Sequence, residues 1–272
     1  MMNTKTIFQF ILTCLAFLAV PTFAFAYEPA HDRTSFCQMI KDPGYAQKIL
    51  SSPTNNLVFA NGGGLFGQGV CWWHSLFTRS AAYKTIYYPH APKPDSEQVA
   101  RIIYAIAYGK QIVAVPGYRN LLQFSWQHAT EIQDYLNQMQ WTATLNFDWI
   151  NGLQGSSEVS AIKLKNIMDQ TFFQIKYQKK VVFQMLQRAG PAAHAWLVVD
   201  MDKTSTGYNM KVIDSNAPLK SFIYEYKYGM TNFKYNDAFV DRFEFVPFNQ
   251  DYADRQLEEF KLTAQNFCQN RN

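Results

Sequence analysis

Between Asn61 and Ser75 the chain reads Asn-Gly-Gly-Gly-Leu-Phe-Gly-Gln-Gly-Val-Cys-Trp-Trp-His-Ser. Glycines at 62, 63, 64, 67 and 69 exclude a regular helix or a stable strand here, because each costs backbone entropy when ordered. They specify a loop whose backbone takes positive φ and lets other groups approach closely. The loop stops at Cys71, and Trp72 to Tyr88, with few breakers, reads as a helix. Cys71 is thereby placed on the first turn of a helix. Free backbone N–H groups and the positive end of the dipole favour a thiolate there. The stretch points to a nucleophile and requires a base and an orienting group from elsewhere.

The same glycines match a dinucleotide-binding pattern by letter, Gly62-Gly63-Gly64-Leu65-Phe66-Gly67. That function needs a helix opening within the glycines and an acid about 20 residues on. The helix opens later, at Cys71, and the first acid is Asp95. No Gly-Lys-Ser/Thr follows, which excludes a Walker loop. Metal-ligand patterns such as C-x-x-C or H-E-x-x-H are also missing, so no metal or other cofactor is expected.

Residues 1–26 carry one charge, Lys5, an apolar run from Ile7 to Val20, and Ala24-Phe25-Ala26. This predicts a signal peptide cleaved before Tyr27 and an exported chain, periplasmic or secreted. The apolar run is short for a membrane span, and Thr13 before Cys14 is a poor lipid-attachment context, so no stable membrane anchor is expected. The net charge of +4 is too small to indicate nucleic acid as a partner. Beyond residue 26 the cysteines are Cys37, Cys71 and Cys268. An odd count in an oxidising compartment leaves one thiol over. Chain ends are often close in space, so a Cys37–Cys268 disulfide with Cys71 free is expected; three buried reduced cysteines are the alternative.

Residues 27–272 fit a single domain with a helical part over about 27–178 and a β-rich part over about 179–272, hence α+β. Helices are expected over Thr34–Ile40 (N-cap Thr34 or Ser35), the cysteine helix, Glu97–Tyr108 capped by Asp95 or Ser96, Asn120–Gln140, Ser156 or Ser157 to Ile175, and Tyr252–Phe267. Strands are expected at Gln111–Val115, Val181–Leu186, His194–Met201, Tyr208–Asp214, Phe222–Tyr228 and Phe243–Val246.

Of the five histidines, His31, His74, His90 and His128 read as surface or structural residues. His194 differs because it opens the apolar run His-Ala-Trp-Leu-Val-Val-Asp, followed by a turn cluster and a second strand ending at Asp214. A hairpin centred near Thr204 sets His194 opposite Asp214, with Cβ atoms about 5 Å apart. The acid then accepts an imidazole N–H and fixes the tautomer. The trio is Cys71 as nucleophile, His194 as base and Asp214 as orienter. For the oxyanion, the Cys71 N–H is one donor and the Gln68 side-chain amide the other candidate.

These residues, Gln68-Gly69-Val70-Cys71-Trp72, His194-Ala195-Trp196-Leu197-Val198-Val199 and Val212-Ile213-Asp214-Ser215-Asn216, resemble the papain-like cysteine peptidase superfamily in kind and order. The resemblance implies a helical lobe led by the Cys71 helix packed on a C-terminal antiparallel β lobe. It also implies hydrolysis of peptide or protein substrates through a thioester. More distantly, the Cys71-Trp72 pair and the His194-Ala195-Trp196 strand resemble transglutaminase-like proteins, which implies acyl transfer to an amine. A catalytically silent papain-like binding protein is the third reading. Trp72, Trp73 and Trp196 are candidates for apolar walls, with Trp196 on the His194 face of its strand.

Overall fold

A computed structural model describes residues 27–63, 69–108, 110–145, 156–188, 193–237, 240–249 and 251–270. Residues 1–26, expected to be a signal peptide, and Gln68 lie outside the described residues. Helices come first: α1 (Arg33–Met39), α2 (Tyr45–Leu50), α3 (Cys71–Lys84), α4 (Ser96–Tyr108), α5 (Leu121–Gln127), α6 (Ala129–Leu145) and α7 (Ala161–Lys176). Two short strands, β1 (Thr85–Tyr88) and β2 (Val113–Pro116), lie among them. Then follow β3 (Val182–Gln187), β4 (Ala193–Lys203), β5 (Gly207–Asp214), β6 (Ser221–Lys227), β7 (Phe233–Asp237), β8 (Val240–Asn249) and α8 (Asp251–Gln269).

The second group of strands forms one sheet in the order β6-β5-β4-β3-β8-β7, with antiparallel neighbours. Its two edges curl toward each other: the Tyr224 hydroxyl on β6 donates to the Lys234 carbonyl on β7 at 3.1 Å. The Tyr224 and Phe233 rings lie 4.7 Å apart, so the sheet is nearly closed. Both faces are covered. Ala195, Leu197 and Val199 of β4 pack with α2, α3 and α8, while Trp196, Val198 and Met201 pack with Leu164, Met168 and Ile175 of α7. Val198 and Met201 share a face despite their odd spacing, because a bulge falls between Val198 and Asp200.

α3 lies between the helical part and this sheet. Every residue from His74 to Lys84 is buried. Phe77 and Ala81 join the core shared with α4, α5 and α6, whereas Leu76, Ala82 and Tyr83 join the core against β3 and β4. A helix covered on all sides needs no amphipathic stripe, which fits its mixed sequence. Its buried cations are partnered. Arg79 donates to Gln256 Oε1 at 3.1 Å, and Lys84 Nζ donates to the Ala105 carbonyl at 3.2 Å over the Phe260 ring. The nucleophile candidate therefore starts a helix that is enclosed from His74 to its end.

The expected disulfide is present: Cys37 at the end of α1 is bonded to Cys268 in α8, with Cα atoms 5.6 Å apart. Cys71 is the free cysteine among the described residues. No described helix is long and apolar enough to cross a membrane.

Several boundaries differ from the sequence reading. The cysteine helix ends at Lys84 rather than Tyr88, because Thr85-Ile86-Tyr87-Tyr88 is β-branched and aromatic and pairs in parallel with β2. The helix expected over Asn120–Gln140 breaks at His128, whose ring is held by the Tyr118 hydroxyl at 2.7 Å and Glu131 at 3.1 Å. Asp32, not Thr34 or Ser35, caps α1, and Ser160 starts α7. β7 was not expected; its alternation of Phe233, Lys234 and Tyr235 carries too few apolar residues to stand out.

Candidate active site

Three element ends converge. Cys71 is the first residue of α3, His194 the second of β4 and Asp214 the last of β5. His194 Nε2 lies 2.8 Å from Asp214 Oδ1, with the two side chains 10% and 2% exposed. The Cys71 sulfur is near enough to the same imidazole to favour its charged form. With Nε2 on the carboxylate, Nδ1 is the nitrogen left for the sulfur. The thiol is half-buried, 3.8 Å from the Ala193 carbonyl.

The route by which His194 meets Asp214 is not the expected one. Asp214 pairs directly with Trp196, and Lys203 pairs with Tyr208, so the hairpin centre lies beyond Thr204; the bulge takes back one residue of that shift and returns Asp214 to the His194 face. His194 is two residues from Trp196 and reaches Asp214 diagonally. Diagonal neighbours on one face lie within reach of long side chains. Trp196 fills the interior instead of covering the thiol, donating Nε1–H to Gln184 Oε1 at 2.9 Å. Trp72 packs edge-on against Phe183 at 4.8 Å, and Trp73 packs against the cores on both sides of α3.

The convergence is bolted from below at one carbonyl. The Ala195 oxygen, next to His194, accepts from Ser75 Oγ at 3.2 Å and from Ser215 Oγ at 3.5 Å. Ser75 is one turn along α3 from Cys71, and Ser215 follows Asp214, so the elements bearing Cys71, His194 and Asp214 meet at a single acceptor. Asp214 Oδ1 also accepts the Asn216 N–H at 2.8 Å, which fixes the carboxylate against its own turn.

Burial would push the His194 imidazole toward neutrality, but the adjoining Asp214 charge and bond, then Cys71, outweigh it and raise its pKa to about 10. The imidazolium is the form held in place at neutral pH. His74, one turn into α3 and also enclosed, behaves oppositely. Burial lowers its pKa to about 4, and its Nε2–H donates to the Phe59 carbonyl at 3.0 Å.

Among the described residues, the first N–H groups of α3 have no side-chain cap. The first internal bond of the helix is His74 N–H to Val70 O at 2.9 Å. The N–H groups of Cys71, Trp72 and Trp73 precede that bond and have no acceptor within the helix. Where Gln68 sits relative to them falls outside the described residues. Asn61 is engaged at both ends of its amide: its Oδ1 accepts the Val70 N–H and its Nδ2 donates to Asn216 Oδ1 at 3.1 Å. This role was not legible in the sequence beyond the proximity of Asn61 to the glycines.

The remaining histidines are placed structurally. His31 bonds the Arg119 carbonyl at 3.0 Å, His128 is held as above, and His90 is exposed in a loop. No group of His, Cys, Asp and Glu among the described residues is arranged to hold a metal. A hollow of about 580 Å³ between α4 and α6, walled by Ile103, Tyr104 and Tyr135, includes none of the trio. Compared with known protein families, curated proteins and solved structures, the chain finds no match.

Proposed function

We propose that the chain is an exported thiol hydrolase of papain-like arrangement, a cysteine peptidase that cleaves peptide or amide bonds. The observation that carries this reading is one imidazole shared between a buried carboxylate and a thiol at a helix start. Outside catalysis there is little reason to bury a charged histidine beside the free cysteine of a disulfide-bonded chain. The candidate signal peptide and the Cys37–Cys268 disulfide support export.

In this mechanism the Cys71 thiolate attacks the substrate carbonyl carbon. A C–S bond forms, and the C=O π electrons move to oxygen. The N–H groups at the start of α3 face that developing charge. Collapse breaks the C–N bond, and the His194 imidazolium gives its proton to the leaving amine. Neutral His194 then takes a proton from water as the water attacks the thioester. The thiolate leaves, and the imidazolium–thiolate pair is restored. Asp214 holds the ring orientation throughout and stabilises its charge.

Incubation with denatured casein tests the reading. Fragments should appear with the native protein and not with Cys71→Ser. Incorporation of a labelled amine without fragments would replace hydrolysis by acyl transfer. Neither product, with the thiol intact, would refute the enzyme.

A further inference from the structure

We infer that Asn61 is a positioning residue that clips the first turn of the Cys71 helix to the turn bearing Asp214, and so sets the sulfur against the imidazole. The inference rests on the thiol–imidazole reading above and names the device that holds that pair in register.

Asn61 makes contacts in both directions. Its backbone N–H donates to the Ser215 carbonyl at 2.7 Å, and its Nδ2 donates to Asn216 Oδ1 at 3.1 Å. Its Oδ1 accepts the N–H of Val70, the residue before Cys71. Asn216 in turn donates its backbone N–H to Asp214 Oδ1 at 2.8 Å. A continuous chain of hydrogen bonds thus runs from the His194 carboxylate partner to the residue preceding the nucleophile.

The glycine loop makes room for this clip. Gly69 has φ +83°, and a Cβ there would lie 2.4 Å from Asn61 Nδ2 and 2.6 Å from its Oδ1. Only glycine permits both the backbone conformation and the close approach of the amide. The segment around Asn61 is itself anchored on each side: the Phe59 carbonyl by His74, the Gly62 carbonyl by Gln133 Nε2 at 2.9 Å, and the Gly63 carbonyl by the Gly69 N–H at 2.9 Å. The clip is distinct from the deeper Ser75–Ala195–Ser215 junction, which fixes where α3 lies against the sheet. With that junction intact, losing the Asn61 side chain frees the first turn alone.

The test is the rate of Cys71 alkylation by iodoacetamide at pH 6 relative to pH 9, measured with the Cys37–Cys268 bond intact. Native protein, Asn61→Ala, Asn216→Ala, the double variant and His194→Ala are compared, with thermal midpoints recorded. A misplacement of about 1 Å costs up to 10²-fold in reactions that depend on such geometry. Each single variant should therefore lose at least about tenfold of the native pH 6 to pH 9 ratio, with the double variant no worse than the poorer single. A merely structural residue would lower the thermal midpoint and leave that ratio untouched. If Asn61→Ala does not fold, Asn216→Ala carries the test, since the backbone bonds of Asn61 and Asn216 survive in it. A native ratio in both single variants, with His194→Ala still depressed, would overturn the clip and leave the thiol–imidazole pair standing. Equal ratios in native and His194→Ala would overturn the pair itself and the clip with it.

Discussion

His74 and His194 are both enclosed, at 1% and 9% exposure, yet their surroundings drive them to opposite proton states. Around His74 burial, helped by the nearby His194 charge, outweighs the Phe59 carbonyl and the more distant Asp214 charge, and the pKa falls to about 4. Around His194 burial acts against a carboxylate 2.8 Å away and a thiol, and the pKa rises to about 10. The same carboxylate acts on both rings, and enclosure prevails at the one it does not touch. A charged one in the interior requires a contact partner of opposite sign. In this fold the partner is supplied by the end of β5, and the same enclosed helix that starts with Cys71 carries the neutral histidine.

The largest test of that contrast removes the partner. Asp214→Asn leaves a hydrogen-bonding side chain and deletes the charge, so His194 should lose its proton near neutrality. Acylation of Cys71 by p-nitrophenyl acetate, followed by release of p-nitrophenolate, should fall by on the order of 10³-fold at pH 7. Native acylation in the variant would mean the carboxylate does not set the state of His194.

A smaller effect separates the two histidines by pH. The folded pKa of His74 lies below the unfolded value of about 6.5, so its contribution to stability is present above 6.5 and lost as pH falls through about 4. His194 has the opposite sign: its contribution is fully present below about 6.5 and lost as pH rises through about 10. Urea unfolding of native protein should show a loss between pH 7 and 4, of which His74 accounts for on the order of 3 kcal/mol. His74→Gln should lack that share of the acid loss and keep the alkaline one. An unchanged acid limb in His74→Gln would show that His74 is not held neutral.

Much of this site is legible in the chain's local patterns. A cysteine after a glycine loop, a histidine opening an apolar strand and an acid closing the next can each be read from neighbouring residues, and cysteine parity leaves Cys71 as the free thiol. What failed to show were features decided by backbone hydrogen bonding across distance. The hairpin register depended on a bulge beside Val199 that no residue type there announces, and His194 meets Asp214 diagonally as a result. The helix break at His128 depended on Tyr118 and Glu131 reaching one ring. Asn61 gave only its position beside the glycines, because its meaning lies in Ser215 and Asn216, far along the chain. The change from helical to strand patterning near residue 178 foretold helices before antiparallel strands. It did not foretell the parallel pair β1–β2 or the near closure of the sheet.

The most direct test of the central claim is the iodoacetamide rate at pH 6 for native protein against His194→Ala. An ordinary thiol, with a pKa near 8.5, is almost wholly protonated at that pH. An imidazolium-paired Cys71 should react faster in the native protein by on the order of 10²-fold. Equal, slow labelling of both would contradict the account, because the carboxylate, imidazole and thiol would then share a place in the fold without sharing a function.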